Sequence, residues 1–193
     1  MFLITKPTEE SIVQCIEAQK NSLFSYRNVG STRNGRAPDG YTVDHNRIQL
    51  GSGREMFERA IEAVRNWKMF GLSWTELYFD TTPIEVGETV VVLIKHFGFW
   101  SLNAARIVYV LDETSDAIQK FGFAYGTLTE HGEQGEERFL VKYNKTDESV
   151  WYDLYAFSRP NHFLAKLGYP LSRYLQKQFA AESKQAMLKA VRK

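Results

Sequence analysis

The second half of the chain alternates apolar and polar residues with a period of two, and this dominates its pattern. Ser73–Phe79, Glu88–Phe97, Asn103–Asp112, Ile118–Leu128, Glu136–Asn144 and Ser149–Ser158 all read as strands. The segments between them, such as Gly98–Leu102, Glu113–Asp116 and Lys145–Glu148, are too short for crossover helices, so neighbouring strands are expected to pair antiparallel. After Arg159 and Pro160 the period becomes helical, with Leu164, Leu167, Leu171, Leu175, Phe179, Ala186 and Ala190 on one side. Pro170 disfavours helix at the residue before it, which predicts a short turn ending near Gly168 and a main helix starting at Pro170.

The first half is more mixed. Thr8 is placed to cap a short helix reaching about Lys20, with Glu9 and Glu10 in its first turn. Residues 25–40 carry Gly30, Gly35, Pro38 and Gly40 among basic residues and read as a long loop. Tyr41–Leu50 reads as a first strand. Ser52 and Glu55 have capping-box spacing ahead of Phe57, Ala60, Ile61, Val64 and Trp67, predicting a helix that ends near Met69.

Composition fits this plan. With 193 residues, 44% hydrophobic and 24% charged, the chain can bury a core without staples. Its 10 Tyr and 13 Phe concentrate in the strand-like runs, where aromatics can fill a core or line a cavity. A net charge of +1 gives no general pull toward nucleic acid. One cysteine, Cys15, among Ile12, Val13 and Ile16, excludes an internal disulfide and reads as a small core residue. No stretch resembles a signal peptide or membrane span, so the expected location is cytoplasmic. One unit over 1–193 is expected, with 1–40 an extension on a core of 41–193.

Several blocks in order carry a family resemblance: Gly40-Tyr41, Arg47–Gly51, Phe57–Ala60, Trp67–Phe70, Phe99–Asn103, Arg106–Val110, Phe121–Leu128, Gly135–Val141 and Trp151–Pro160. From about Tyr26 to Met187 the chain resembles the family called domain of unknown function nineteen-ninety, which looks related to the Bet v 1-like, or START-like, superfamily. The resemblance implies an α+β helix-grip fold, with about seven antiparallel strands wrapped around a long C-terminal helix and an N-terminal extension that includes Gly30–Arg33. Members of that superfamily commonly hold apolar ligands between sheet and helix. The resemblance brings no catalytic set.

Candidate chemistry lies in polar residues within apolar strands, since burying an unpaired charge is costly. Arg106 and Asp153, if they met inside, would form a pair able to orient a ligand headgroup; the alternative is that both face solvent on the convex side of the sheet. Trp151, Asp153 and Tyr155 share one strand face, Glu76 interrupts a strand, His96 ends another, and Tyr125 lies with Phe121 and Phe123 on the aromatic face of a third. Arg33, with Arg27 and Arg36 near Gly30 and Gly35, could hold a phosphate or carboxylate on backbone amides. Glu137 and Arg138 read as cross-strand partners. Gly122, Ala124 and Gly126 leave one strand face bare, either for close approach of another element or for a ligand. His131, Glu133, Glu136 and Glu137 look like metal ligands, but the flanking glycines read as a hairpin, so no metal is expected. His45, His96, His131 and His162 show no zinc spacing, and no cofactor motif is present.

Three functions fit these features. The leading one is binding a small apolar or amphipathic molecule. The others are an enzyme of cyclase, hydratase or isomerase type in the same cavity, and a protein-interaction module with a filled core.

Overall fold

A computed structural model describes residues 2–78, 82–96, 98–161 and 168–192. Strands β3 (Thr75–Tyr78), β4 (Thr89–Lys95), β5 (Trp100–Thr114), β6 (Ile118–Thr127), β7 (Glu133–Asn144) and β8 (Ser149–Pro160) form an antiparallel meander. Strand β2 (Thr42–Ser52) closes the order β2-β8-β7-β6-β5-β4-β3. A two-residue strand not anticipated from the sequence, β1 (Phe2–Leu3), pairs with β5 beside Trp100 and Ser101. Helices α1 (Glu9–Gln19), α2 (Arg54–Arg65) and α3 (Tyr169–Val191) complete the fold. The sheet curls around α3, and register shifts at Gln49/Gly51 and Ile107/Tyr109 mark bulges, which add local twist. The helix-grip architecture expected from the sequence is the one observed.

Alternation divides the strand residues between two covered faces. On the concave face Ile107, Phe123, Phe139 and Tyr152 meet Phe57 and Val64 of α2 and Met187 and Val191 of α3. At about 1.5–3 kcal/mol per fully buried large side chain, this layer is the main source of cohesion. On the convex face Ile12 and Ile16 of α1 cover Val91, Leu93, Leu102 and Leu128. The segment between α1 and β2 reaches Tyr109, Glu136, Arg138 and Tyr155 on the same face. A Cβ on Gly126 would lie 2.2 Å from the Tyr26 hydroxyl, so this bare strand face serves close approach of that segment.

Several local expectations change. Thr8 caps α1 as expected, its hydroxyl accepting from the Ser11 amide at 3.2 Å. Ser52 does not cap α2: the Gln49/Gly51 bulge carries β2 on to Ser52, and Gly53 stands at the N-cap with no side-chain hydrogen bond. Helix α2 also ends four residues early, at Arg65, because Trp67 takes a left-handed φ of 53° and starts a 3-10 turn over Lys68–Phe70. Residues 25–40 are not a plain loop, since a 3-10 turn at Ser31–Asn34 sits between Gly30 and Gly35, both with positive φ. Helix α3 starts at Tyr169, with Gly168 as its N-cap. The short turn proposed before Gly168, with His162, Leu164 and Leu167, lies outside the described residues, as do Phe79, Thr81 and Phe97.

Helix α3 has two different halves. Ala180, Ser183, Met187 and Val191 are buried against the core. Leu171, Leu175, Gln176 and Phe179, one to two turns earlier, line an open space instead.

Candidate functional site

That space is a cavity of about 540 Å³ between the concave sheet face and the first half of α3. It is within the usual size range for small-molecule sites, roughly 300–1,000 Å³. Val92 and Ile94 of β4, Leu154 of β8 and Leu175 and Phe179 of α3 supply apolar wall. The inner end is aromatic: the Phe70 ring lies 5.4 Å from Phe139 and 5.3 Å from Phe179, centroid to centroid. Phe2, Leu3 and Ile4 border it from the N-terminal segment.

Of Asp, Glu, Lys and Arg, only acidic side chains are among the described residues lining this space, set among neutral polar ones such as Asn46, Thr75, Ser101, Asn103 and Gln176. Tyr125 and Glu137 are direct cross-strand neighbours on β6 and β7, and the Tyr125 hydroxyl donates to Glu137 Oε2 at 2.8 Å. Burial raises the Glu137 carboxyl to about 7, against the opposing pull of the Tyr125 hydrogen bond and with repulsion from Glu133 and Asp44 adding to it. The Tyr125 phenol is likewise driven well up by burial. Glu133, two strand steps of the same face away, accepts from Gln176 of α3, and its carboxyl is raised by burial. Asp44 also borders the cavity but is held by Arg173 of α3 at 2.5 and 2.7 Å. His131 Nδ1 accepts from the Glu133 amide at 3.0 Å, and burial depresses its pKa to about 4. No Lys or Arg is among the described lining residues. Among the described residues no three His, Cys, Asp or Glu side chains converge to hold a metal ion.

These shifts have opposite consequences for stability. A carboxyl whose folded pKa is raised stabilises the fold at low pH, and that contribution is lost as pH climbs from 4.5 to about 7 for Glu137. A histidine whose folded pKa is depressed acts the other way, so His131 costs stability as pH falls from 6.5 to about 4. In a Glu137→Gln variant only the histidine effect remains of these two. The wild-type stability minus the variant's should therefore shrink between about pH 4.5 and about pH 7, read by urea unfolding. A difference that stays constant with pH would contradict this assignment.

Of the residues singled out from the sequence, His96 and Tyr125 line the cavity. His96 bonds the Ser101 hydroxyl at 2.8 Å and stacks on Phe99, and burial lowers its pKa. Arg33, Glu76, Arg106, Trp151, Asp153 and Tyr155 are not among the lining residues. Glu76 pairs with Lys6 at 2.7 Å, and the Arg47 guanidinium covers the Trp151 ring.

The pairing of Arg106 with Asp153 does not occur, because each is taken by another element on the convex face. Arg106 donates to the carbonyls of Gln19, Lys20 and Ser22 at 2.7–2.8 Å, closing the C-terminal end of α1. Asp153 accepts from Arg138 at 2.7 Å and Lys142 at 3.0 Å and lies 3.0 Å from His45 Nε2. Burial pushes the Asp153 carboxyl up, but those three partners outweigh it and hold the pKa at about 2.

The glycine-rich loop does hold a carboxylate on its amides, and it is one of the protein's own. Glu136 accepts from the backbone amides of Gly30 at 2.6 Å and Thr32 at 2.9 Å, from the Thr32 hydroxyl, and from Tyr26 at 2.6 Å. Arg138 donates to the Thr32 carbonyl at 2.8 Å, and Tyr155 to the Gly35 carbonyl at 3.0 Å. Arg33 lies over the Tyr109 ring. This network fastens the N-terminal segment to the sheet.

The sequence reading passed over Glu133 and Glu137 as cavity groups. β7 starts at Glu133, not Glu136, so the glycine-flanked acidic run is strand, and alternation sends Glu136 and Glu137 to opposite faces. The usable signal was the odd-numbered series Glu133, Glu137, Phe139 and Val141.

Comparison with known proteins places the chain. A UPF0548 protein of Dictyostelium discoideum is 41% identical over 207 aligned residues, covering 99% of this chain and 96% of its own. One from Arabidopsis thaliana is 40% identical over 157 residues, covering 79% of this chain and 75% of its own. One from Deinococcus radiodurans is 32% identical and covers 98% of both chains. Solved structures are more distant. Thalictrum flavum norcoclaurine synthase is 14% identical, with a TM-score of 0.47 over 81% of this chain and 97% of that one. Human STARD10 is 12% identical, with a TM-score of 0.42 over 97% of this chain and 82% of that one. Residues 25–186 match the profile of the family described as Domain of unknown function (DUF1990), and with its UPF0548 relatives the chain belongs to that family.

Proposed function

We propose that this protein binds a small apolar or amphipathic molecule in the cavity between the sheet and α3. The observation that carries the reading is the cavity itself, about 540 Å³ of space walled by Val92, Ile94, Leu154, Leu175 and Phe179. Empty apolar volume forgoes packing contacts that a ligand would supply. The split of α3 points the same way: its second half is packed into the core, while its first half presents leucines and a phenylalanine to open space. The filled core required by the interaction-module reading has this volume against it.

A second reading, a proton-transfer enzyme of the cyclase, hydratase or isomerase type, draws on Glu137. Its carboxyl titrates at about 7 beside a phenol, the range in which a carboxyl serves as both acid and base.

The binding reading is tested by calorimetric titration of the whole chain with decan-1-ol, a neutral apolar probe. One saturable site per chain is expected. Absence of saturable binding up to the solubility limit would sink it.

A further inference from the structure

The geometry points to an amphipathic cation, an organic ammonium with an apolar body, as the class of molecule that the cavity prefers, with Glu137 as its counter-ion; this rests on the binding reading above. The Glu137 carboxylate accepts one hydrogen bond, from Tyr125, and among the described residues it has no other partner. Its second oxygen is therefore left for an occupant of the cavity.

Aromatic rings cluster beside its partner Tyr125. Tyr125 lies 6.2 Å from Phe70 and 5.2 Å from Phe139, and Phe70 and Phe179 line the cavity next to it. Aromatic faces carry negative electrostatic potential and attract cations, more strongly where water is excluded. A carboxylate with aromatic rings close by suits an ammonium and repels an anion.

The rest of the lining agrees. Glu133 adds a second carboxylate on the same strand face, and its hydrogen-bond partner Gln176 is neutral. The nearest guanidinium, Arg173, is committed to Asp44 through both of its terminal nitrogens. Arg138 and Lys142, both on the even-numbered side of β7, point to the other face, where Asp153 holds them. An anionic headgroup would meet no Lys or Arg among the described lining residues.

The apolar lining accounts for the apolar body. Leu154, Val92, Ile94, Leu171 and Leu175, all aliphatic, line the same cavity as Glu137. A cation anchored at Glu137 would extend its hydrocarbon part along this wall.

The test compares three probes with one ten-carbon tail, decylammonium, decan-1-ol and decanoate, by calorimetry at about pH 8, where the amine is charged. Decylammonium should bind about tenfold or more tightly than decan-1-ol, and decanoate most weakly, in line with a charge-assisted hydrogen bond. Glu137→Gln should bring decylammonium to near parity with decan-1-ol, and a cooperative urea unfolding transition shows that the variant is folded. Tyr125→Phe keeps the carboxylate and frees its second acceptor, so the ammonium preference should persist there. A decylammonium affinity no greater than that of decan-1-ol, or a preference that survives Glu137→Gln, overturns the inference and leaves the binding reading standing. Failure of all three probes removes both.

Discussion

Replacing Asp153 by Ala should lower the unfolding free energy by about 3–5 kcal/mol, the usual cost of breaking a buried ion pair from one side. The Arg138 guanidinium is buried, donates one arm to Asp153 at 2.7 Å and the other to the Thr32 carbonyl at 2.8 Å, and its Nε has no partner. Removing the carboxylate would leave that charge without a counter-ion under the N-terminal segment. Guanidinium chloride unfolding measures the loss, and a variant within about 1 kcal/mol of wild type would show that Arg138 is solvated after all. The same carboxyl sets an acid limit. Its folded pKa of about 2 is depressed from 3.8, so its contribution is complete above the higher value and disappears as pH falls through the lower.

Ala156→Phe should abolish probe binding without unfolding the protein. Ala156 of β8 lies directly opposite Asp44 of β2 and Glu137 of β7 and lines the cavity. A phenyl ring there occupies existing volume instead of displacing packed atoms, so the overpacking penalty of about 1–3 kcal/mol seen in filled cores should not appear. Burying the ring should hold or raise the melting temperature, while decan-1-ol affinity falls at least about tenfold, the equivalent of losing roughly 1.4 kcal/mol of contact. A variant that binds like wild type would place the probe elsewhere; one that melts much earlier would mean that the cavity is smaller than described.

The strands were legible because alternation over long runs has one reading, and the six expected between residues 73 and 158 are all present, with ends shifted by up to three residues. Alternation is relative, however. It puts Trp151, Asp153 and Tyr155 on one face without saying which face holds the cavity, and in this fold it is the other one. Polar residues in apolar strands look like interior site groups, yet here Asp153, Arg138 and Glu136 are buried on the outside of the sheet by a segment more than 100 positions earlier in the chain. Nothing local encodes that cover. Glu137 was hidden for a different reason: Gly132 and Gly135 together read as a turn, whereas the β6–β7 connection ends at Gly132 and Gly135 is already within β7. Ser52 failed as a cap because a bulge one turn earlier in the strand moved the strand end onto it.

The central claim is that the cavity between sheet and helix is a binding site, and methyl-resolved NMR of the whole chain during titration with decan-1-ol tests it most directly. Val92, Ile94 and Leu154, which line the cavity, should shift together and saturate at one probe per chain, while Val91, Leu93 and Leu102, covered by α1 on the opposite face, stay fixed. Shifts confined to the α1-covered set, or spread evenly over the surface without saturation, would contradict it.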